Sequence, residues 1–90
     1  MKERSFVYDK SFHKQFKKLV KNNHDLEKKV LTILNLMKKD IFDERLYTHK
    51  LSGVLKKYYS CRVSFDIRIL FYFDNDFVYL IDIGNHDSVY

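Results

Sequence analysis

The chain has no proline and no tryptophan, and only two glycines and one cysteine among its 90 residues. The lone Cys61 cannot form an internal disulfide, and no Cys/His spacing typical of a structural zinc site is present. Neither a disulfide nor a zinc site therefore stabilises the fold. Without a proline-rich linker, we predict a single domain spanning residues 1–90. No apolar run approaches the ~20 residues that cross a bilayer, so we expect a cytoplasmic protein without membrane association.

The sequence also lacks the motifs of several enzyme classes. It contains no glycine-rich phosphate loop, no nucleophile elbow and no metal-ligand spacing. These absences argue against nucleoside triphosphate chemistry, esterase chemistry and metal-dependent hydrolysis, and we expect no cofactor. Metal-free cleavage of RNA remains feasible. In that reaction a 2′-hydroxyl attacks the adjacent phosphate, arginines stabilise the developing charge, and a histidine or tyrosine moves protons.

Positive charge is concentrated in the first part of the chain. Residues 1–39 hold eleven Lys/Arg against four Asp/Glu, whereas residues 40–90 hold six against eight. Such a basic region attracts phosphate backbones or an acidic protein partner. Lysines on the wet faces of helices, present only for solubility, explain the same composition.

Hydrophobic periodicity predicts an α+β fold. Residues 6–8 read as a first strand, after which Asp9 or Ser11 can cap a helix with apolar positions 12, 16, 19 and 20 on one face. After a polar break at residues 22–25, Asp25 can cap a second helix with apolar positions 26, 30, 33, 34 and 37. The short polar connection favours an antiparallel helical hairpin.

Three later runs alternate with a period of two: Tyr58 to Val63, Ile67 to Phe73 and Phe77 to Ile83. We predict an antiparallel meander, so that the helical hairpin and the N-terminal strand pack on a small, twisted antiparallel sheet. Between Lys39 and Lys56 periodicity is lost. A connection of this length in a compact domain is usually functional or contains a short element.

Strand register brings basic residues together. If the first turn of the meander centres on Phe65, Arg62 lies opposite Arg68; if the second centres on Asn75, Arg68 lies opposite Asp82. Like charges directly opposed across a ladder are destabilising, so the arginine pair indicates an anion such as a phosphate between them, or neutralisation of one by Asp82.

Several other side chains are candidates for the same chemistry. His86 follows the third run just beyond Gly84, where a sharp turn would bring it over the arginine face; the alternative is a surface histidine in a frayed terminus. His49, beside Lys50, lies in the unpatterned connection. Other candidates have simple structural explanations as well: Asp66 as a turn residue, Lys56 and Lys57 as a solvated pair, and Tyr90 as an anchor for the tail.

These residues resemble the RelE/ParE superfamily of small bacterial toxins, most closely its RelE and YafQ branches. The resemblance spans the whole chain and includes residues 49–53 (HKLSG), 58–62 (YYSCR), 66–71 (DIRILF) and 83–90 (IGNHDSVY). The closing glycine-x-histidine followed four residues later by an aromatic is the most specific motif. YafQ-like chains usually place a histidine where this chain has Arg62, whereas Arg68 matches an arginine of RelE proper.

The resemblance implies a RelE-like fold and a set of roles. His86 matches the catalytic histidine, His49 and Asp66 match assisting active-site residues, Tyr90 matches a supporting aromatic, and Arg68 matches the arginine that stabilises transition-state charge. We add Arg62, Lys50, Lys56 and Lys57 as candidate phosphate contacts. The implied activity is cleavage of mRNA in the A site of the ribosome, neutralised by a cognate antitoxin in a complex that is a higher oligomer.

Two other functions compete with this interpretation. A ParE-like toxin would poison DNA gyrase without a catalytic residue of its own, although such chains generally lack the terminal glycine-x-histidine arrangement. An inactive relic would retain only basic RNA binding.

Overall fold

The computed structural model of the protein describes residues 3–53 and 56–85. Within them lie two helices, five strands and a short 3₁₀ turn. In chain order these elements are β1 (Ser5–Tyr8), α1 (Lys10–Val20), α2 (His24–Lys39), the 3₁₀ turn (Glu44–Leu46), β2 (His49–Lys50), β3 (Tyr59–Arg62), β4 (Ile67–Phe73) and β5 (Phe77–Asn85). The α+β class and the helical hairpin predicted from periodicity are confirmed.

Side-chain caps determine where the helices begin. The carboxylate of Asp9 accepts a hydrogen bond from the backbone N–H of Ser11 at 3.0 Å, as expected for an N-cap. The second helix starts earlier than predicted, because Asn23 and not Asp25 is its cap and accepts from the N–H of Leu26 at 3.1 Å. Asn22, in the left-handed region at φ 59°, reverses the chain between the helices.

The five strands form one sheet in the order β1-β5-β4-β3-β2. The predicted antiparallel meander of β3, β4 and β5 is confirmed. However, the sheet is mixed, because β1 pairs with β5 in parallel. The unpatterned connection contains β2, which pairs antiparallel with β3 and places His49 opposite Ser60.

One of the two predicted register pairs is correct. Arg62 lies opposite Arg68, as expected for a first turn centred on Phe65. Arg68 faces Gly84 across the next pair of strands, so the predicted pairing with Asp82 is wrong. Two offsets of one residue cause this. The β4–β5 turn centres between Asn75 and Asp76, since Phe73 pairs with Val78, and a register shift at Leu70/Phe71 leaves an extra residue in β5.

Both helices pack on one face of the sheet. The core consists of apolar residues from the helices, the loop after α2 and alternate positions of the strands: Phe12, Val30, Ile33, Leu34, Met37, Ile41, Leu46, Cys61, Val63, Ile69, Phe71, Val78, Leu80 and Ile83. The alternate positions of β3 and β4, which include Ser60, Arg62, Arg68 and Tyr72, therefore point to the opposite face. We call this second face the open face. Neither helix among the described residues is long and apolar enough to cross a membrane.

Truncation of a core side chain on α2 should destabilise the fold strongly. Met37 is fully buried, so Met37→Ala should lower the free energy of unfolding by about 2–5 kcal/mol. Leu31→Ala on the same helix is the matched control, because Leu31 is 50% exposed and should cost much less. Urea unfolding followed by circular dichroism measures both, and equal losses would contradict the packing of α2 on the sheet.

Candidate active site

A cleft of about 420 Å³ opens where β2, β3 and β4 approach one another. Tyr47, Thr48, His49, Arg62 and Arg68 line it. Two lining residues come from the paired ends of β3 and β4, two come from the segment between the 3₁₀ turn and β2, and His49 is the first residue of β2. The cleft is thus polar and positively charged, a combination suited to an anionic group.

Arg68 is buried and held by the turn that connects β3 with β4. Its Nη1 donates to the backbone carbonyls of Ser64, Phe65 and Ile67 at 2.7, 2.9 and 3.3 Å. A second contact closes the same turn, since the Ser64 hydroxyl accepts from the N–H of Ile67 at 3.2 Å. These bonds fix the guanidinium, so that little conformational entropy remains to be lost when an anion binds.

Arg62 is held by an aromatic ring. Its guanidinium carbon lies 4.3 Å from the ring centroid of Tyr47, within the range of a cation–π contact. Its Nε is buried and has no hydrogen-bond partner among the described residues. A buried charged donor without a partner is costly, so this nitrogen provides a ready contact for an acceptor that enters the cleft.

Tyr47 adopts an uncommon backbone conformation. It terminates the 3₁₀ turn in the left-handed region, at φ 51° and ψ 44°, and its N–H donates to the carbonyl of Glu44 at 3.3 Å. The next residue is anchored as well, because the Thr48 hydroxyl donates to the Ile41 carbonyl at 2.6 Å. For a bulky residue this conformation is strained, and such strain clusters at functional sites. The ring itself is 60% exposed at the cleft.

The start of the same turn is fixed electrostatically. Asp43 accepts from the backbone N–H of Arg45 and forms a two-point ion pair with its guanidinium, at 3.0 and 2.8 Å. The Arg45 side chain, followed by its backbone N–H, lowers the pKa of Asp43 to about 2. The carboxylate therefore remains ionised at any physiological pH and caps the turn that carries Tyr47.

His49 has one nitrogen bound to the backbone and the other near a hydroxyl. Its Nδ1 lies 3.4 Å from the carbonyl oxygen of Tyr47, and its Nε2 lies 3.3 Å from the Oγ of buried Ser60. A carbonyl oxygen only accepts, so this contact requires a proton on Nδ1. In the neutral ring, Nε2 then carries the lone pair and accepts from Ser60. An imidazole positioned in this way at the edge of a cleft is suited to proton transfer.

Comparison with known proteins assigns the chain to a family. Residues 4–90 match the family described as "Bacterial toxin of type II toxin-antitoxin system, YafQ". The chain belongs to the YafQ toxin family. No curated protein matches the chain.

Solved structures agree with this assignment. A copper-bound mutant toxin from Helicobacter pylori is 29% identical, with 97% of this chain and 99% of that chain covered at a TM-score of 0.79. YafQ from E. coli is 18% identical, with 98% and 99% covered and a TM-score of 0.81. YafQ in the E. coli DinJ-YafQ toxin–antitoxin complex is 19% identical, with 98% of both chains covered and a TM-score of 0.80. At such identities the two E. coli structures establish the shared fold.

The structure of this YafQ-family toxin brings three of the predicted site residues together: His49, Arg62 and Arg68. Asp66 lies in the exposed turn between β3 and β4. Lys50 pairs with Tyr59, whose side chain packs against the core, so strand alternation directs Lys50 away from the open face.

The remaining predicted site residues lie apart from the cleft lining or outside the described part of the chain. Lys56 lies in an exposed turn, where its N–H donates to the Gly53 carbonyl. The ammonium of Lys57 lies over two tyrosine rings of the open face. His86 and Tyr90 lie outside the described residues.

Sequence reasoning missed Tyr47, Thr48 and Ser60 as site residues. For Ser60 a signal existed, because period-two alternation already places it on the same face as Arg62. Its partner was hidden, since a two-residue strand such as β2 has no periodicity. For Tyr47 and Thr48 no pattern was available, because a left-handed residue after a 3₁₀ turn depends on how the loop packs.

Cys61 takes no part in the toxin's site. It is fully buried on the core side of β3, and burial raises the pKa of its thiol to about 12. The thiol stays protonated and is a poor nucleophile.

Removing the Arg68 side chain should loosen the β3–β4 turn of the toxin. Arg68→Met leaves three carbonyls without their charged donor, and we expect a loss of about 1.5–3 kcal/mol in the free energy of unfolding. Arg62→Met, the partner across the ladder, removes a like charge and a cation–π contact and should change it by less than about 1 kcal/mol. Denaturant unfolding of both variants measures these losses. A larger loss for Arg62→Met than for Arg68→Met would contradict the stabilisation of the β3–β4 turn by Arg68.

Proposed function

We propose that this toxin is a metal-independent endoribonuclease that cleaves mRNA on the ribosome and thereby stops translation. The observation that supports the proposal is the pair of arginines in one cleft beside a histidine whose ring nitrogens lie near the Tyr47 carbonyl and the Ser60 hydroxyl. The family assignment supports the toxin role, and the cleft indicates the chemistry by which it acts.

The reaction is an attack of the mRNA's own 2′-hydroxyl on the adjacent phosphorus. A base takes the 2′-hydroxyl proton as the new O–P bond forms, and the bond from phosphorus to the 5′-oxygen breaks as an acid protonates that oxygen. The products are a 2′,3′-cyclic phosphate and a free 5′-hydroxyl. Because RNA supplies the nucleophile, the protein need only align the strand, stabilise charge and move two protons.

Arg62 and Arg68 stabilise the charge on the phosphorane oxygens. Their direct opposition across β3 and β4 costs electrostatic repulsion in the free protein. A dianionic transition state between them relieves that repulsion, so binding of the transition state is favoured over binding of a monoanionic phosphate. Arg68 is already fixed by its turn, and Arg62 offers its unpartnered Nε.

Proton transfer is divided between histidines in this proposal. His49 presents Nε2 near Ser60, and the match to the family motif makes His86 the principal proton-transfer residue. The register supports this role, because Gly84 pairs with Arg68 and His86 follows two residues later. Asp66 and Tyr90 assist through substrate positioning.

Tyr47 organises two of these groups. Its ring stacks on the Arg62 guanidinium and its carbonyl accepts from Nδ1 of His49. It is therefore a positioning residue that couples the phosphate contact with the proton-transfer group.

The distribution of lysines suits a ribosomal site. The lysines of α1 and α2 are exposed, and the helices lie on the side of the sheet opposite the cleft. One RNA strand cannot contact both surfaces at once. In the ribosomal A site, ribosomal RNA can contact the helical lysines while mRNA enters the cleft. A cognate antitoxin would neutralise the toxin, and we expect their complex to be a higher oligomer.

Substitution of Arg62 or His86, the proposed catalytic residues, should slow cleavage strongly without unfolding the toxin. Arg62→Gln should slow single-turnover cleavage of ribosome-bound mRNA about 10²- to 10³-fold, because one donor to the phosphorane is lost. His86→Ala should slow it about 10²- to 10⁴-fold, because a proton-transfer group is lost.

The matched controls for this assay are Arg4→Gln and His13→Gln. Arg4 contacts Phe73 and Asp74, and His13 lies on α1, so neither residue lines the cleft. Thermal melting confirms that each variant is folded. Full activity of Arg62→Gln and His86→Ala would refute the catalytic assignment.

Binding to the ribosome should weaken steeply as salt rises. If the helical lysines make about four phosphate contacts, affinity should fall roughly 50- to 150-fold between about 50 and 200 mM salt. Neutralising Lys14, Lys17 and Lys18 together should flatten the logarithmic slope by about two. The His13→Gln variant of the same helix should retain the wild-type slope. An affinity independent of salt would exclude the helices as the docking surface.

A further inference from the structure

Three tyrosines form a cluster on the open face, at the opposite end of the strands from the cleft. The rings of Tyr58 and Tyr72 lie 5.7 Å apart at 64°, and those of Tyr72 and Tyr79 lie 4.6 Å apart at 15°. Tyr58 directly precedes β3, Tyr72 lies in β4 and Tyr79 in β5, and all three rings are half-buried. The cluster is thus an aromatic surface on the side of the sheet not covered by the helices.

One corner of this cluster holds a cation from the protein itself. The ammonium of Lys57 lies 5.1 Å from the centroid of Tyr58 and 4.9 Å from that of Tyr72. Because these two rings are steeply tilted, the ammonium sits between them. Lys57 is exposed, so it can leave the corner at little cost. We call this arrangement of Tyr58, Tyr72 and Lys57 the tyrosine corner.

The corner and the cleft lie on the same strands and the same face. Tyr58, just before β3, is four residues from Arg62 at the end of that strand, and Tyr72 is four residues from Arg68 along β4. At the rise of a β-strand this separation is about 13 Å. A stacked single strand advances about 3.4 Å per nucleotide, so roughly four nucleotides span it. One RNA strand can therefore occupy both places.

Charge on the open face favours a path along β3. Arg62 stands at one end of that strand, and Lys56 and Lys57 stand at the other. Across the sheet the surface is acidic, because Asp74 lies at the β4–β5 turn and accepts a hydrogen bond from the Tyr79 hydroxyl at 3.0 Å. A polyanion is attracted to the side of the face that holds the tyrosine corner.

We propose that the tyrosine corner is a nucleobase-stacking subsite for single-stranded RNA, about four nucleotides from the phosphate in the cleft. The base replaces the Lys57 ammonium against the rings, and the released lysine contacts a neighbouring phosphate. This exchange is favourable because base–aromatic stacking is stronger than a cation–π contact at an exposed site. The proposal rests on RNA being the substrate of the cleft, and it extends the proposed function to how the strand is held.

The test uses fluorescence anisotropy with a labelled eight-nucleotide RNA in which every 2′-hydroxyl is replaced by hydrogen or methoxy, so that cleavage is blocked. Tyr72→Leu should weaken binding roughly tenfold, because the stacking face is lost. Tyr72→Phe should bind like wild type, because the ring is kept. Tyr8→Leu is the matched control, since Tyr8 is a 55% exposed tyrosine that packs near Phe12 on the helix side.

Two further measurements separate stacking from a general loss of structure. An abasic nucleotide placed at successive positions of the probe should weaken binding to wild type at one position, and should have no effect there with Tyr72→Leu. Lys57→Gln should flatten the logarithmic salt slope by about 0.7, the value of one phosphate contact on a single strand.

Each outcome decides the proposal. Equal RNA affinity of Tyr72→Leu and wild type, or no binding of the probe by wild type, overturns it. Unchanged RNA affinity with weakened binding of the antitoxin would assign the corner to a protein partner and overturn it as well. The assay is independent of cleavage: if wild type cleaves mRNA but Tyr72→Leu binds RNA normally, only the subsite fails. If the corner binds a base but no cleavage occurs, the nuclease proposal fails.

Discussion

The site depends on one constraint: two arginines must stand side by side at the ends of neighbouring strands. The β3–β4 turn enforces this, because its carbonyls bind Nη1 of Arg68 and hold the guanidinium opposite Arg62. Electrostatic repulsion between the two is thereby built into the fold. The positive end of the sheet follows from this turn, and so does the cleft.

The two faces of the sheet have different roles, one in stability and the other in the proposed chemistry. Its helix-covered face carries the apolar core, and its open face carries the cleft and the tyrosine corner. Because the exposed lysines of α1 and α2 lie on the helical side, this toxin presents cations on two opposite surfaces. Such a distribution supports the proposal that the toxin sits between ribosomal RNA and a message. A chain with a single cysteine can support this distribution because the buried apolar core from the helices and the strands packs on one face of the sheet.

Much of the fold could be predicted because hydrophobic periodicity reports burial directly. The period of α2 and the alternation of β4 produced the correct elements, and β4 has the predicted bounds. Strand pairing and register were harder to predict from the sequence. The parallel contact of β1 depends on how the helical hairpin returns the chain to the sheet, and the register shift opposite Leu70 has no signature in composition. The predicted Arg68–Asp82 pair failed because of this shift and because the β4–β5 turn centres between Asn75 and Asp76.

For the site, the sequence alone determined the chemical inventory and one true contact, the opposition of Arg62 and Arg68. Local rules sufficed there, since a short turn between two alternating strands leaves few registers. Only the tertiary structure decided that His49 joins this pair, that Ser60 faces its Nε2, and that Tyr47 bridges both. These contacts join segments that are distant along the chain, through a loop whose conformation depends on packing. Such packing produces no hydrophobic periodicity in the residues of the loop, so the sequence pattern does not predict it.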